Sequence, residues 1–125
     1  MIVGLGADIA EIDRIEAAIA RHGRAFIERV FTSQEIAYCE RHRASGERYA
    51  ARFAAKEATM KALGTGWRRG VRWVDIEVTR LASGRPTIEL RGAAREHADR
   101  LGVKHIHVSL THSGNIAFAE VIFES

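Results

Sequence analysis

Arg52-Phe53-Ala54-Ala55-Lys56-Glu57-Ala58-Thr59-Met60-Lys61-Ala62-Leu63-Gly64-Thr65-Gly66 lies near the middle of the chain, and its reading decides the rest. From Tyr49 to Leu63, alanine stands at positions 50, 51, 54, 55, 58 and 62 with no internal Gly or Pro, a composition that favours helix. Gly64-Thr65-Gly66 ends it. Glu57 and Lys61, four residues apart, share one face. As an ordinary surface ion pair they would contribute only about 0.3–0.5 kcal/mol.

Upstream, Ile2 to Ile9 is a short apolar run containing Gly4 and Gly6, compatible with a buried strand. Ile12, Ile15 and Ile19 then form one apolar stripe, so a helix is expected from Glu11 to about His22, stopped by Gly23. Thr32 or Ser33 can cap a helix that begins near Gln34-Glu35 and runs towards Arg43, and Ser45-Gly46 reads as a break. Downstream the period changes to two: Val74, Ile76 and Val78 alternate with Asp75, Glu77 and Thr79. Ser83-Gly84-Arg85-Pro86 turns the chain into a returning strand with Ile88 and Leu90. Ala94, Ala98 and Leu101 fit a short helix stopped by Gly102, and Ile106, Val108 and Leu110 a strand. A hairpin over Ser113-Gly114-Asn115 leads into Ile116–Phe123. The fold class expected is α+β, a mainly antiparallel sheet with helices packed beside it.

The length of 125 residues predicts a single domain, 1–125. Hydrophobic residues at 46%, charged residues at 28% and one Pro describe a chain that folds rather than a disordered one. The single cysteine, Cys39, excludes an intrachain disulfide and multi-cysteine metal sites, and points to a reducing compartment, with the cytoplasm as the expected location. The N-terminus lacks the basic segment of a signal peptide, and no apolar run reaches the roughly 20 residues of a membrane span.

The net charge is +3, but it is unevenly spread. Between Glu40 and Trp73, nine Arg or Lys face three acids, a local +6 that suits phosphates, nucleic acid or an acidic protein, or simply a solvated helix face. Asp8, at the end of an apolar strand, needs a partner or solvent, and by itself reads first as the N-cap of the following helix. His105 and His107 share a strand face with His112 nearby, a pattern that a zinc hydrolase or a plain polar strand face would both produce. Neither Gly64-Thr65-Gly66 nor Gly4-x-Gly6 has the spacing of a P-loop or a dinucleotide fingerprint. An RNA-binding module is the other rival, but the aromatic platform of an RRM sheet is missing.

Taken together, Gly4-Leu5-Gly6-Ala7-Asp8-Ile9-Ala10-Glu11-Ile12-Asp13-Arg14-Ile15, the central Arg52-Phe53-Ala54-Ala55-Lys56-Glu57-Ala58 with Lys61-Ala62-Leu63-Gly64-Thr65-Gly66, Trp73-Val74-Asp75-Ile76-Glu77-Val78, Gly84-Arg85-Pro86 and His107-Val108-Ser109-Leu110-Thr111-His112-Ser113 resemble the holo-[acyl-carrier-protein] synthases, the small type of 4′-phosphopantetheinyl transferase. The resemblance spans essentially the whole chain. Ala7 departs from it, since many relatives carry a hydroxyl there. It implies transfer of the phosphopantetheine arm of coenzyme A to a serine of an apo acyl carrier protein, with release of adenosine 3′,5′-bisphosphate. It further implies Mg²⁺, or Mn²⁺, held by Asp8 and Glu57, with Lys61 stabilising phosphate charge and Glu57 or a water it orients taking the serine proton. Coenzyme A would touch Arg52, Lys56, Gly64, Gly66, His112 and Ser113, and the acidic carrier would meet Arg14, Arg21 and Arg24. A homotrimer with sites between subunits is implied, with neither nucleic acid nor membrane as partner.

Overall fold

The computed structural model describes residues 1–125, and its organisation follows from how closely the first strand can approach the alanine-rich helix. Strand β1 (Ile2–Glu11) lies along helix α4 (Ser45–Leu63), the longest element. A Cβ on Gly6 would stand 1.9 Å from the Ala58 carbonyl oxygen, and one on Gly4 would stand 2.6 Å from that of Ala62. Glycine on the strand and alanine on the helix therefore bring the two backbones together, which accounts for the Gly4-x-Gly6 pattern without a nucleotide. Ala54, Ala55 and Ala58 are completely buried.

Between these elements come α1 (Ile12–His22), α2 (Arg24–Val30) and α3 (Ser33–Glu40). Helix α1 buries Ile12 and Ile15, as its stripe predicts, and ends at Gly23. Helix α2 is absent from the periodicity, because seven residues with Ile27 and Val30 buried are too short for a pattern to emerge. Thr32 caps α3 in a reciprocal capping box with Glu35. Helix α3 stops at Glu40, short of Arg43, and α4 starts at Ser45, where a break was expected. Gly46 sits inside that first turn because α1 packs against it: a Cβ there would meet the Glu16 carboxylate at 2.2 Å.

The second half forms β2 (Ile76–Arg80), β3 (Pro86–Leu90), α5 (Gly92–Leu101), β4 (His105–Ser113) and β5 (Ile116–Glu124). A single 3₁₀ turn, Trp73–Asp75, takes the place of the expected start of β2. All pairing is antiparallel, in two sheets: β1-β5-β4 and the β2-β3 hairpin. Ala117, Ala119, Val121 and Phe123 of β5 are fully buried, and Val121 and Ala119 sit opposite Gly6 and Asp8. The β2-β3 hairpin covers the other side of α4, through Lys56, whose ammonium reaches the carbonyls of Trp73 and Ile76. The opposite face of the three-stranded sheet carries no helix and leaves Leu5 and Ile9 exposed. No helix is long and apolar enough to cross a membrane.

Candidate active site

Because β1 and α4 touch, Asp8, two residues beyond Gly6, arrives beside the solvent-facing row of α4 that holds Glu57 and Lys61. Lys61 Nζ donates to Asp8 Oδ1 at 3.0 Å and to the Ala7 carbonyl at 3.1 Å. Its salt bridge is thus with Asp8 on the strand and not with Glu57 on its own helix. Burial pushes the Glu57 carboxyl up to about 7, and the charge of Asp8 and a hydrogen bond to it push the same way, while Lys61 opposes them. Two carboxylates in this relation hold a proton between them unless a cation takes its place.

Asp8 does not cap α1. The first amides of that helix are met from the far turn of the β4-β5 hairpin: Asn115 Oδ1 accepts from Asp13 N at 2.9 Å, and the Asn115 carbonyl accepts from Ile12 N at 2.8 Å. Asn115 thereby leaves the Asp8 carboxylate to the site, a positioning contact that spans most of the chain and that no local sequence signal could reveal.

Beside Glu57 opens a cleft of about 370 Å³, lined among others by Ile9, Arg14, Ile15, Phe26 and Phe53. One cleft therefore joins Glu57 to Arg14. Arg14 is exposed and pairs weakly with Glu11 at 3.4 Å. Arg21 is also exposed, whereas Arg24 is bound to Glu40 at 2.8 Å, the same carboxylate that accepts from the Tyr49 hydroxyl. Phe26 and Phe53, with ring centroids 6.5 Å apart, give the cleft an aromatic part, and Phe53 stacks in turn on Trp73 at 5.0 Å. Gly64 closes α4 in the left-handed conformation at φ 78°, three residues past Lys61, and starts the exposed loop that contains Gly66.

Four other residues lie apart from this cleft. Lys56 is fully buried, with Nζ 2.8 Å from Glu35 Oε1, 3.1 Å from the Trp73 carbonyl and in contact with that of Ile76. All three of its donors are engaged inside the protein, so the structure offers it to no phosphate and gives it a role in the core. Burial pushes its pKa down, and Glu35 opposes that shift. Arg52, one turn earlier on the same face, is likewise buried, over the ring of Tyr38. His112 lies on the helix side of the sheet, with Nδ1 3.5 Å from Glu47, and Ser113 ends its strand in solvent. His105 and His107 point to the open face, where His107 pairs with Glu124 at 3.0 Å; the three histidines are on opposite faces and do not converge.

Glu35 is the functional-looking residue that sequence reading passed over. Its signal is the Thr32-x-x-Glu35 spacing of a capping box, but its burial shows only in three dimensions: it also accepts from the Val78 amide at 2.8 Å.

Comparison with known proteins places the arrangement. Residues 4–119 match the family model described as the 4′-phosphopantetheinyl transferase superfamily. The chain is 57% identical, over the full length of both, to a holo-[acyl-carrier-protein] synthase of Solibacter usitatus. Among solved structures it resembles the holo-[acyl-carrier-protein] synthase of Neisseria meningitidis, with a TM-score of 0.91 and 31% identity over 100% of both chains. It also resembles the Bacillus anthracis synthase in complex with CoA (3′,5′-ADP), with a TM-score of 0.82 and 36% identity over 100% of this chain and 98% of that one. With its strand-end aspartate held against the carboxylate and ammonium of one helix, in a fold shared along its whole length with these enzymes, the chain belongs to the 4′-phosphopantetheinyl transferase superfamily.

Proposed function

We propose that the protein is a holo-[acyl-carrier-protein] synthase that moves the 4′-phosphopantetheine arm of coenzyme A onto a serine of an apo acyl carrier protein. The observation that carries this reading is the convergence of Asp8, Glu57 and Lys61 at one end of a cleft that also contains Arg14. The serine hydroxyl oxygen forms a bond to the pantetheine-bearing phosphorus, the phosphoanhydride bond breaks, and adenosine 3′,5′-bisphosphate leaves with the electron pair. Attack at phosphorus is governed by alignment and by neutralising charge on the oxygens.

The two carboxylates fit a magnesium ion. They are adjacent, and burial together with the Asp8 charge raises the Glu57 carboxyl, an environment that a divalent cation would offset. Asp8 and Glu57 would hold Mg²⁺ or Mn²⁺, which supplies charge neutralisation to the pyrophosphate. Lys61, exposed at its tip, directs its ammonium at the same oxygens. Glu57, or a water it orients, would take the serine proton.

Gly64 and Gly66 let the coenzyme approach the backbone beyond Lys61, and His112 and Ser113 contribute from β4. Arg14 and Arg21 receive the acidic carrier, with Arg24 released from Glu40 to join them, and such rim charges chiefly set the association rate. The open sheet face with Leu5 and Ile9 supports a homotrimer, in which a neighbour supplies the wall that a single domain of residues 1–125 lacks.

The test mixes the protein with apo acyl carrier protein, coenzyme A and Mg²⁺ and follows the carrier by intact mass. A gain of one phosphopantetheine group is expected. An unchanged carrier mass overturns the reading.

A further inference from the structure

On the side of α4 away from the Asp8 cluster, positive charge gathers without an acid to match it. Three guanidinium groups surround the ring of Tyr38: Arg52 at 4.0 Å from its centroid, Arg80 at 4.9 Å and Arg41 at 5.6 Å. They come from α4, β2 and the end of α3, and they line a cavity of about 280 Å³ with Gln34 and Thr79. Arg48, one turn before Arg52, adds a fourth charge behind them.

None of these four arginines makes a salt bridge. The acids of α3 are committed elsewhere, Glu35 to Lys56 and Glu40 to Arg24 and Tyr49. Arg52 is only 2% exposed, and its Nε, like that of Arg48, is buried without an acceptor. Its one hydrogen bond to main chain is a long one, 3.4 Å from Nη1 to the Arg48 carbonyl. A buried cation normally has a partner, because desolvating it alone is costly. His42, packed on Tyr38 at 4.8 Å, is held towards its neutral form by burial and by the same four arginines.

We propose that this cavity is a binding site for a phosphate monoester dianion, gripped by Arg41, Arg52 and Arg80 at the edge of Tyr38. Planar guanidinium forks from three elements match three phosphate oxygens, and a dianion balances the surplus better than a single carboxylate does. The volume exceeds that of phosphate alone, so the group can arrive as free phosphate or as the terminal phosphate of a nucleotide. The site is separate from the proposed transfer site, since neither Asp8, Glu57 nor Lys61 lines it.

Binding is followed by ³¹P NMR titration and calorimetry with inorganic phosphate, adenosine 3′,5′-bisphosphate and adenosine 5′-monophosphate. The proteins compared are the unmodified chain, the double variant Arg41→Ala/Arg80→Ala, Lys61→Ala, and Arg100→Ala as a surface-charge control. Arg41 and Arg80 are exposed, and unchanged circular dichroism and melting confirm that the double variant is folded. The double variant is expected to lose phosphate affinity by about tenfold or more, with Arg100→Ala unchanged, whereas a loss confined to Lys61→Ala would put the phosphate at the Asp8 cluster and overturn the proposal. Preference for the bisphosphate, lost in the same double variant, identifies a nucleotide phosphate as occupant; equal affinity for inorganic phosphate identifies the free ion. Undiminished binding of all three ligands in the folded double variant, or no binding to the unmodified chain, overturns the proposal.

Discussion

Lys56 and Lys61 are five residues apart on one helix, and they do opposite work. Lys56 is sealed between α4, α3 and the β2-β3 hairpin, its charge matched by a fully buried Glu35. Lys61 stands in solvent, half of its side chain exposed, with Asp8 as its neighbour. The first lysine has all its donors consumed by the protein and holds the fold; the second, bound to Asp8 and the Ala7 carbonyl, keeps one donor for a ligand. In sequence the two are equivalent: both belong to Lys56-Glu57-Ala58-Thr59-Met60-Lys61, and only the rotation of about 140° that five residues of helix leave between them separates the buried row from the open one.

The sharpest break of this comparison lies beside Lys61. Glu57→Gln should lower transfer by about 10³-fold or more while leaving the melting temperature within a few degrees of the parent. Turnover near the parent's would remove Glu57 from the proposed chemistry. Next comes the buried row: Lys56→Ala strands Glu35 and should cost about 3–5 kcal/mol, whereas Lys56→Met with Glu35→Leu should recover most of it. Denaturant melts of the single and double variants decide this, and an equally unstable double variant would show that the pair contributes more than mutual neutralisation. Lys61→Ala should reduce transfer by about 10²-fold with no loss of stability, and a stability loss like that of Lys56→Ala would erase the distinction between the two lysines.

A smaller effect is expected from pH. Burial and the Asp8 charge push the Glu57 carboxyl from its ordinary 4.5 up to about 7, so the folded state binds the extra proton between those values. Stability of the metal-free protein should therefore fall as pH rises through that window, and Glu57→Gln should flatten the trend. Melting curves at pH 5, 6 and 7 measure it; parallel pH profiles in parent and variant would contradict the assignment. The smallest signal is at Cys39, completely buried, with burial pushing its thiol up to about 12. It should resist iodoacetamide at pH 8 in the native protein and react on unfolding. Rapid native alkylation would mean that the α3–α4 packing opens readily.

The sequence alone carried the elements far better than their neighbours in space. The period-two strands, the stripe of α1 and the alanine run of α4 are local patterns, and each element is found along its pattern, β2 starting only at Ile76. Asp8 could not be distinguished from an N-cap, because the residue that serves that helix end, Asn115, is more than 100 positions away. Lys56 and Arg52 followed the resemblance towards coenzyme A, while the helix turns both into protein. The gathering of Arg41, Arg52 and Arg80 about Tyr38 was hidden for the same reason: three separate segments supply it, and the +6 of Glu40–Trp73 covers only the first two.

The pairing of β1 with β5 also bears on how the chain is made. Strand β1 has β5, made more than 100 residues later, as its only sheet partner, with Ile2 opposite Glu124 and Glu11 opposite Ile116. Until β5 has been made, Leu5 and Ile9 have no strand beside them, and until Asn115 has been made the start of α1 lacks its cap. Such distant pairing slows folding, because the loop must close before any contact rewards it. A nascent chain arrested before Ile116 would retain every residue of the Asp8, Glu57 and Lys61 cluster and still lack the strand that sets the first of them in place.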